Sequence, residues 1–217
     1  MKWKFADNTN QRSIAYQFRF KRFLFFRSLL NRLQKPVSIL DIGGTQGYWD
    51  MMGFSDIDIR ITLLNLEVQP TSGDSFTSVK GDATDLSAYA DQSFDIVYSN
   101  SVIEHLFTYE AQLKMANEVR RVGKNYFIQT PNYYFPIEPH WVFPFFQFLP
   151  VTCRVWMTRN LNLGHIGRIP DPVDASKRVA EVQLLTRQQM QQLFPQAKMY
   201  QETFFGLTKS LVAYKFD

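Results

Sequence analysis

Residues 37–47 constrain this chain more than any other stretch. Val37-Ser-Ile-Leu-Asp-Ile42 is a short apolar run, and Gly43-Gly44-Thr45-Gln46-Gly47 follows it directly. A run of that length closed by glycines reads as a buried strand entering a tight turn, with a helix predicted over 47–53. Glycine lets a ligand come close to the backbone, and a helix N-terminus offers unpaired N–H groups. Asp41 adds a carboxylate at the strand's end. A tight turn that binds nothing remains the bland alternative at this point.

The chain beyond the turn repeats the same alternation. Residues 60–66, 75–80, 94–99 and 125–130 read as further strands, and 109–122 as a helix between the last two. Strands alternating with helices imply parallel crossovers with helices on both faces of a sheet. Four prolines (Pro131, Pro136, Pro139, Pro144) then break the pattern inside an aromatic-rich stretch, and regularity resumes with a helix near 186–194 and strands near 198–204 and 208–215. The expected fold is α/β: a doubly wound, mostly parallel, seven-stranded Rossmann-like sheet closed by a C-terminal antiparallel hairpin. Residues 132–183 form an insertion after strand five within a domain spanning 36–217.

Ahead of that domain, residues 1–35 hold nine basic residues and one acid, against 15 basic and 19 acidic residues in the remainder. The basic balance of the chain therefore comes from its N-terminal arm. A helix over about 12–34 carries two apolar stripes, Ile14, Phe18, Phe25, Leu29 and Tyr16, Phe20, Phe23, Leu30. One stripe would bury on the domain; the second needs a cap, a partner or a membrane surface. Nucleic acid or an anionic membrane suits the charge, and a plain solvated helix suits it equally. Cys153 stands alone, and the first residues lack the apolar core of a signal peptide. Both point to the cytoplasm, with the inner membrane face open to the basic arm.

Three further features follow the turn in order. Glu67 ends the second strand, where a carboxylate can accept both ribose hydroxyls; Asp82 and Ala83 follow the third, where they can meet an adenine edge. Either acid also reads as a solvated strand end or a helix cap. The fourth strand runs into SFDIVYSNSVIEHL. Taken together, ILDIGGTQGYW, LLNLE, GDATDL and SFDIVYSNSVIEHL resemble the glycine loop, ribose acid, adenine site and fourth-strand motif of class I S-adenosylmethionine-dependent methyltransferases, and most closely the group containing the ubiquinone and menaquinone methyltransferases. The resemblance covers about residues 36–131. It implies S-adenosylmethionine as cofactor, with Asp41, Gly43, Gly44 and Gly47 around its methionine part, Glu67 on the ribose, Asp82 and Ala83 on the adenine, and Ser99 or Asn100 near the sulfonium. Thr45 departs from the pattern, which has glycine there, so a slightly altered loop is expected.

Methyl transfer to oxygen requires a proton to be removed. His105 lies just past the fourth strand, and His140, two residues from Glu138, lies in the aromatic insertion that would roof an acceptor pocket. These are the candidate bases, with His165 weaker; each also reads as a packing or backbone-bonding histidine. No CxxC or HExxH spacing is present, so the sequence gives no support to a metal. The expected activity is O-methylation of a small-molecule, glycan or lipid-linked acceptor. A catalytically silent cofactor-binding or membrane-docking scaffold and an RNA methyltransferase are the alternatives. A dinucleotide dehydrogenase would need G-x-G-x-x-G, which residues 43–47 do not supply.

Overall fold

The computed structural model describes residues 10–216. The first nine residues, with Lys2, Lys4 and Asp7 of the basic arm, lie outside the described residues. Seven strands form the main sheet: β1 (Val37–Ile42), β2 (Ile59–Asn65), β3 (Phe76–Lys80), β4 (Phe94–Asn100), β5 (Gly123–Pro131), β8 (Lys198–Phe204) and β9 (Leu207–Lys215). Their order is β3-β2-β1-β4-β5-β9-β8. The first five are mutually parallel, while β9 runs antiparallel to β5 and β8 antiparallel to β9. The doubly wound sheet and its closing hairpin are thus as the sequence predicts. The order reverses between β1 and β4, and ligands of such sheets lie outside the carboxyl ends at that switch point.

Period-two alternation sends the strands' apolar side chains to two cores. Leu40, Ile42, Val97 and Ile128 pack against α3 (Tyr109–Val122) and α6 (Arg187–Leu193). Ile39, Ile61, Tyr98 and Phe127 pack against α1 (Ile14–Leu30) and α2 (Gln46–Met51) on the other face. Helix starts are locally encoded: Ser13 Oγ accepts from Tyr16 N at 3.0 Å, Thr108 Oγ1 from Ala111 N at 3.1 Å, and Thr186 forms a capping box with Gln189.

The N-terminal helix differs from its two-stripe reading. Tyr16, Phe23 and Leu30 of one stripe and Leu29 of the other are all buried, and Phe25 packs on Phe127, Tyr200 and Tyr214. Among the eight stripe residues only Ile14 is exposed, at 45%. The sheet's aromatics receive the Phe18 and Phe25 stripe, and α2 with Phe54 supplies the second surface, against Phe23 and Tyr16. Arg22 is also withdrawn from the basic face: it is buried and its Nε donates to Glu202 Oε1 at 2.9 Å. Among the described residues, no helix is long and apolar enough to cross a membrane.

The insertion holds more regular structure than its prolines suggest. A two-stranded ladder pairs β6 (Ile137–Glu138) with β7 (Phe143–Pro144), and helices α4 (Val151–Asn160) and α5 (Pro172–Glu181) follow. Trp141, Phe146, Met157, Val179 and Val182 bury a separate small core beneath them. Asp171 caps α5 by accepting from Val173 N and Asp174 N, with Pro172 at the first helical position, a start signal that the irregular reading of 131–183 passed over.

Candidate active site

The glycine turn is shaped by what surrounds it. Gly43 has φ +76°, and a Cβ there would lie 2.4 Å from a Val102 methyl. A Cβ on Gly44 would fall 1.7 Å from Asp41 Oδ2. Both positions therefore exclude a side chain, one by conformation and both by space. Gly47 stands in the first turn of α2, where an added Cβ would meet nothing within 4 Å. Thr45 is the helix N-cap with φ −133° and ψ 149°. That is ordinary extended backbone, so the departure at Thr45 costs the loop nothing. Asn65, the last residue of β2, secures the turn by donating from Nδ2 to Gly44 O at 2.8 Å.

Asp41 is 1% exposed. Its Oδ2 accepts from Trp49 Nε1 at 2.8 Å, whereas Oδ1 is buried without a hydrogen-bond partner. Burial pushes its carboxyl up to about 8, against the opposing pull of the Trp49 bond. An unpaired acceptor beside a glycine turn is suited to a ligand carrying a donor.

The other sequence-predicted cofactor residues differ in what they do. Glu67 lies two positions past β2, with its side chain 77% exposed and accepting from Lys80 Nζ at 3.0 Å. Asp82 Oδ1 accepts from both Thr84 N and Thr84 Oγ1 at 2.8 Å, and Ala83 is buried in the core on the α3 side. Ser99 is fully buried and donates to Ile42 O at 3.2 Å, tying β4 to β1. Asn100 Oδ1 accepts from Arg22 Nη1. Around Asn100 the chain gathers Arg19, Arg22 and Lys209 about one carboxylate, Glu202. Burial and neighbouring Arg22 bring Lys209 down to about 8, and burial followed by Arg22 also lowers Arg19. This excess of cations at the carboxyl end of β4 was invisible in sequence, because it joins residues nearly 200 positions apart.

A second cluster lies on the turn after β4. Glu104 and His105 sit in the short 3-10 turn Ile103–His105, and His140 comes from the β6–β7 connection. Glu138 Oε2 accepts from the backbone N–H groups of His140 and Trp141, each at 2.7 Å, and its Oε1 lies 2.6 Å from His140 Nδ1. His140 Nε2 lies 3.2 Å from His105 Nε2. His105 Nδ1 is 3.5 Å from Glu181 Oε1, whose other oxygen accepts from Arg178. Burial, then the His140 and Arg178 charges, lower His105 to about 4. Burial also works against charge on His140, but Glu138, Glu104 and Glu181 outweigh it and raise its pKa.

Glu104, quoted in the fourth-strand motif but given no role there, is fully buried. Oε2 accepts from Thr130 Oγ1 at 2.9 Å, Oε1 has no hydrogen-bond partner, and burial pushes the carboxyl up to about 7. Gln183 N donates to Glu104 O at 2.7 Å, so the insertion is stitched directly to this turn. His165 donates from its backbone N–H to His140 O at 3.0 Å. On the far side of Glu138 is a cavity of about 190 Å³ walled by Tyr133, Trp141, Phe146, Gln147 and Arg154.

The parallel sheet, its switch point and the glycine turn define the class I S-adenosylmethionine-dependent methyltransferase fold. Residues 54–126, about a third of the chain, match the family model described as Methyltransferase domain. Solved structures with this fold include a SAM-dependent methyltransferase from Methanosarcina mazei, 15% identical, covering 86% of this chain and 94% of that one with TM-score 0.52. The CurJ carbon methyltransferase is 10% identical, covering 96% and 56% with TM-score 0.59. Relatives in sequence include uncharacterized proteins from two strains of Mycobacterium tuberculosis, 28% identical over 114 residues. The match covers 52% of this chain and 35% of theirs, so it spans about a third of the curated relatives' length.

Proposed function

We propose that this chain transfers the methyl group of S-adenosylmethionine to a hydroxyl of a small-molecule, glycan or lipid-linked acceptor. The observation that carries this reading is the Glu138–His140–His105 line with Glu104 beside it, next to the switch point. An amine acceptor needs only to arrive unprotonated, but a hydroxyl must lose a proton, and these groups suit that task. The pKa values of His105 and His140 are pushed apart by their surroundings, as in acid–base sites.

When bound, the cofactor supplies an electrophilic methyl on a sulfonium. The residues present fit it. Asp41 offers its unpartnered Oδ1 to the ammonium end, and Arg19, Arg22 and Lys209 favour the carboxylate. Glu67 serves the ribose, and Asp82 with Ala83 the adenine. On the acceptor side, Glu138 holds the His140 ring by Nδ1 and leaves Nε2 directed at His105. The proton leaving the acceptor hydroxyl is taken up at this cluster. Trp141 and Phe146, stacked with centroids 4.4 Å apart, give the insertion an apolar wall that limits water.

Formation of S-adenosylhomocysteine across a panel of hydroxyl, amine and carboxylate acceptors tests the reading. Turnover confined to hydroxyl acceptors is expected. Turnover only with amines, or with RNA, would replace it.

A further inference from the structure

We propose that Glu104, His105 and His140 form a binding site for one divalent first-row transition cation. Binding itself is independent of the methyltransferase reading; only the use of the cation rests on it: with both imidazoles ligating, a coordinated acceptor hydroxyl of lowered pKa would release its proton to solvent rather than to His140.

The geometry is that of a chelate. One ligand atom from each of the three residues lies within 4.8 Å of the others. A tetrahedral cation with imidazole ligands at 2.0–2.1 Å holds its two nitrogens about 3.3 Å apart. The two Nε2 atoms here stand 3.2 Å apart, with the rings nearly perpendicular at 85°. That spacing also permits a hydrogen bond between two imidazoles, so it does not decide alone.

Glu104 decides it. This carboxylate is fully buried, one of its oxygens lies within 4.8 Å of a ring nitrogen of each histidine, and its Oε1 is left without a hydrogen-bond partner. A buried carboxylate oxygen is costly unless something positive reaches it. The far sides of the rings differ. His140 Nδ1 is hydrogen-bonded to Glu138 at 2.6 Å, whereas His105 Nδ1 faces Glu181 at 3.5 Å without a hydrogen bond. Carboxylates behind metal-bound imidazoles set the tautomer that leaves Nε2 free to ligate. With its ligands deprotonated, as metal binding requires, the cluster of Glu104, Glu138, Glu181, two imidazoles and Arg178 carries two negative charges in excess, which a divalent cation balances. Two imidazoles and one carboxylate suit zinc, iron or cobalt better than magnesium, and leave coordination positions open to an acceptor oxygen. Spacing rules miss the site because His140 arrives from another element, 35 residues beyond His105.

The full chain, dialysed against a chelator, would be titrated with Zn²⁺ by calorimetry and with Co²⁺ by visible absorption, without cofactor or acceptor. One equivalent is expected to bind, and His140→Gln and Glu104→Gln to weaken it at least about 100-fold, since losing a mere outer partner of a metal ligand already costs 10–100-fold. Glu104→Gln preserves volume and an acceptor for Thr130, so it should fold, and circular dichroism checks both variants. A folded wild-type chain that binds neither ion overturns the proposal, as does unchanged affinity in the folded variants. S-adenosylhomocysteine titrated into the same samples separates the two readings: its binding without zinc binding removes the metal site alone, and zinc binding without it removes the methyltransferase reading alone.

Discussion

The glycine turn and the histidine cluster belong to the same carboxyl edge of one sheet, yet they are built in opposite ways. The turn is local. Asp41, Gly43, Gly44 and Trp49 shape one another across nine residues, and Asn65 from the adjacent strand completes it. The cluster is assembled from afar: a turn after β4 supplies Glu104 and His105, β6 and the connection after it supply Glu138 and His140, and α5 supplies Glu181. A site made by local backbone geometry tolerates little change at its glycines. A site made by long-range side-chain contacts can change its chemistry by single substitutions while the fold stands.

The largest effect expected from breaking this contrast is at Arg22, the buried cation on the cofactor side. Arg22→Met strands Glu202 without its cation in the core, and loss of one partner of a buried pair costs about 3–5 kcal/mol. Urea unfolding measures it. Next is Gly44→Ala. Asp41 must leave its Trp49 bond to make room, so a loss of about 1–3 kcal/mol is expected. A neutral result would mean that the turn relaxes freely and is less rigid than described.

A third effect is pH-dependent. The folded pKa of Asp41 is about 8 against an ordinary 3.8, so the folded chain holds a proton that the unfolded chain releases. The stability this proton gives is fully present below about pH 4 and lost as pH rises through about 8. Wild-type Tm should therefore fall across that interval more steeply than that of Asp41→Asn. Parallel slopes would show that Asp41 is ionised when folded. The smallest effect concerns the basic arm. Lys21 and Arg27 are exposed on α1 and Arg32 just past its end, so charge reversal there should weaken binding to anionic vesicles at low salt. Absence of vesicle binding by the wild type would remove the membrane surface as a partner.

The two regions were unequally legible in the sequence. Strands, their order of appearance and the glycine turn follow from patterns read within a dozen residues, and they agree with the structure. The insertion did not yield to such reading. Its aromatics and prolines mask α4, which buries only Met157 and Thr158, although the Asp171-Pro172 start of α5 was there to be seen. His105 and His140 could be named one at a time, but their meeting at 3.2 Å is tertiary. Glu104 gave no sign of being buried, because a carboxylate after a strand is usually solvated. The apolar stripes of α1 were counted correctly and assigned too few neighbours, since the sheet receives one and α2 the other.

The division of labour between turn and cluster is tested most directly by S-adenosylhomocysteine calorimetry on Gly43→Ala and His140→Ala side by side, with turnover measured on the second. Gly43→Ala forces a side chain into φ +76° against Val102, and affinity should fall at least about tenfold, in line with about 1–3 kcal/mol of backbone strain. His140→Ala should leave affinity within about twofold while turnover falls about 100-fold or more. If His140→Ala instead weakens the ligand as much as the glycine variant, or leaves turnover per folded molecule intact, the histidine cluster is not the acceptor side of this site.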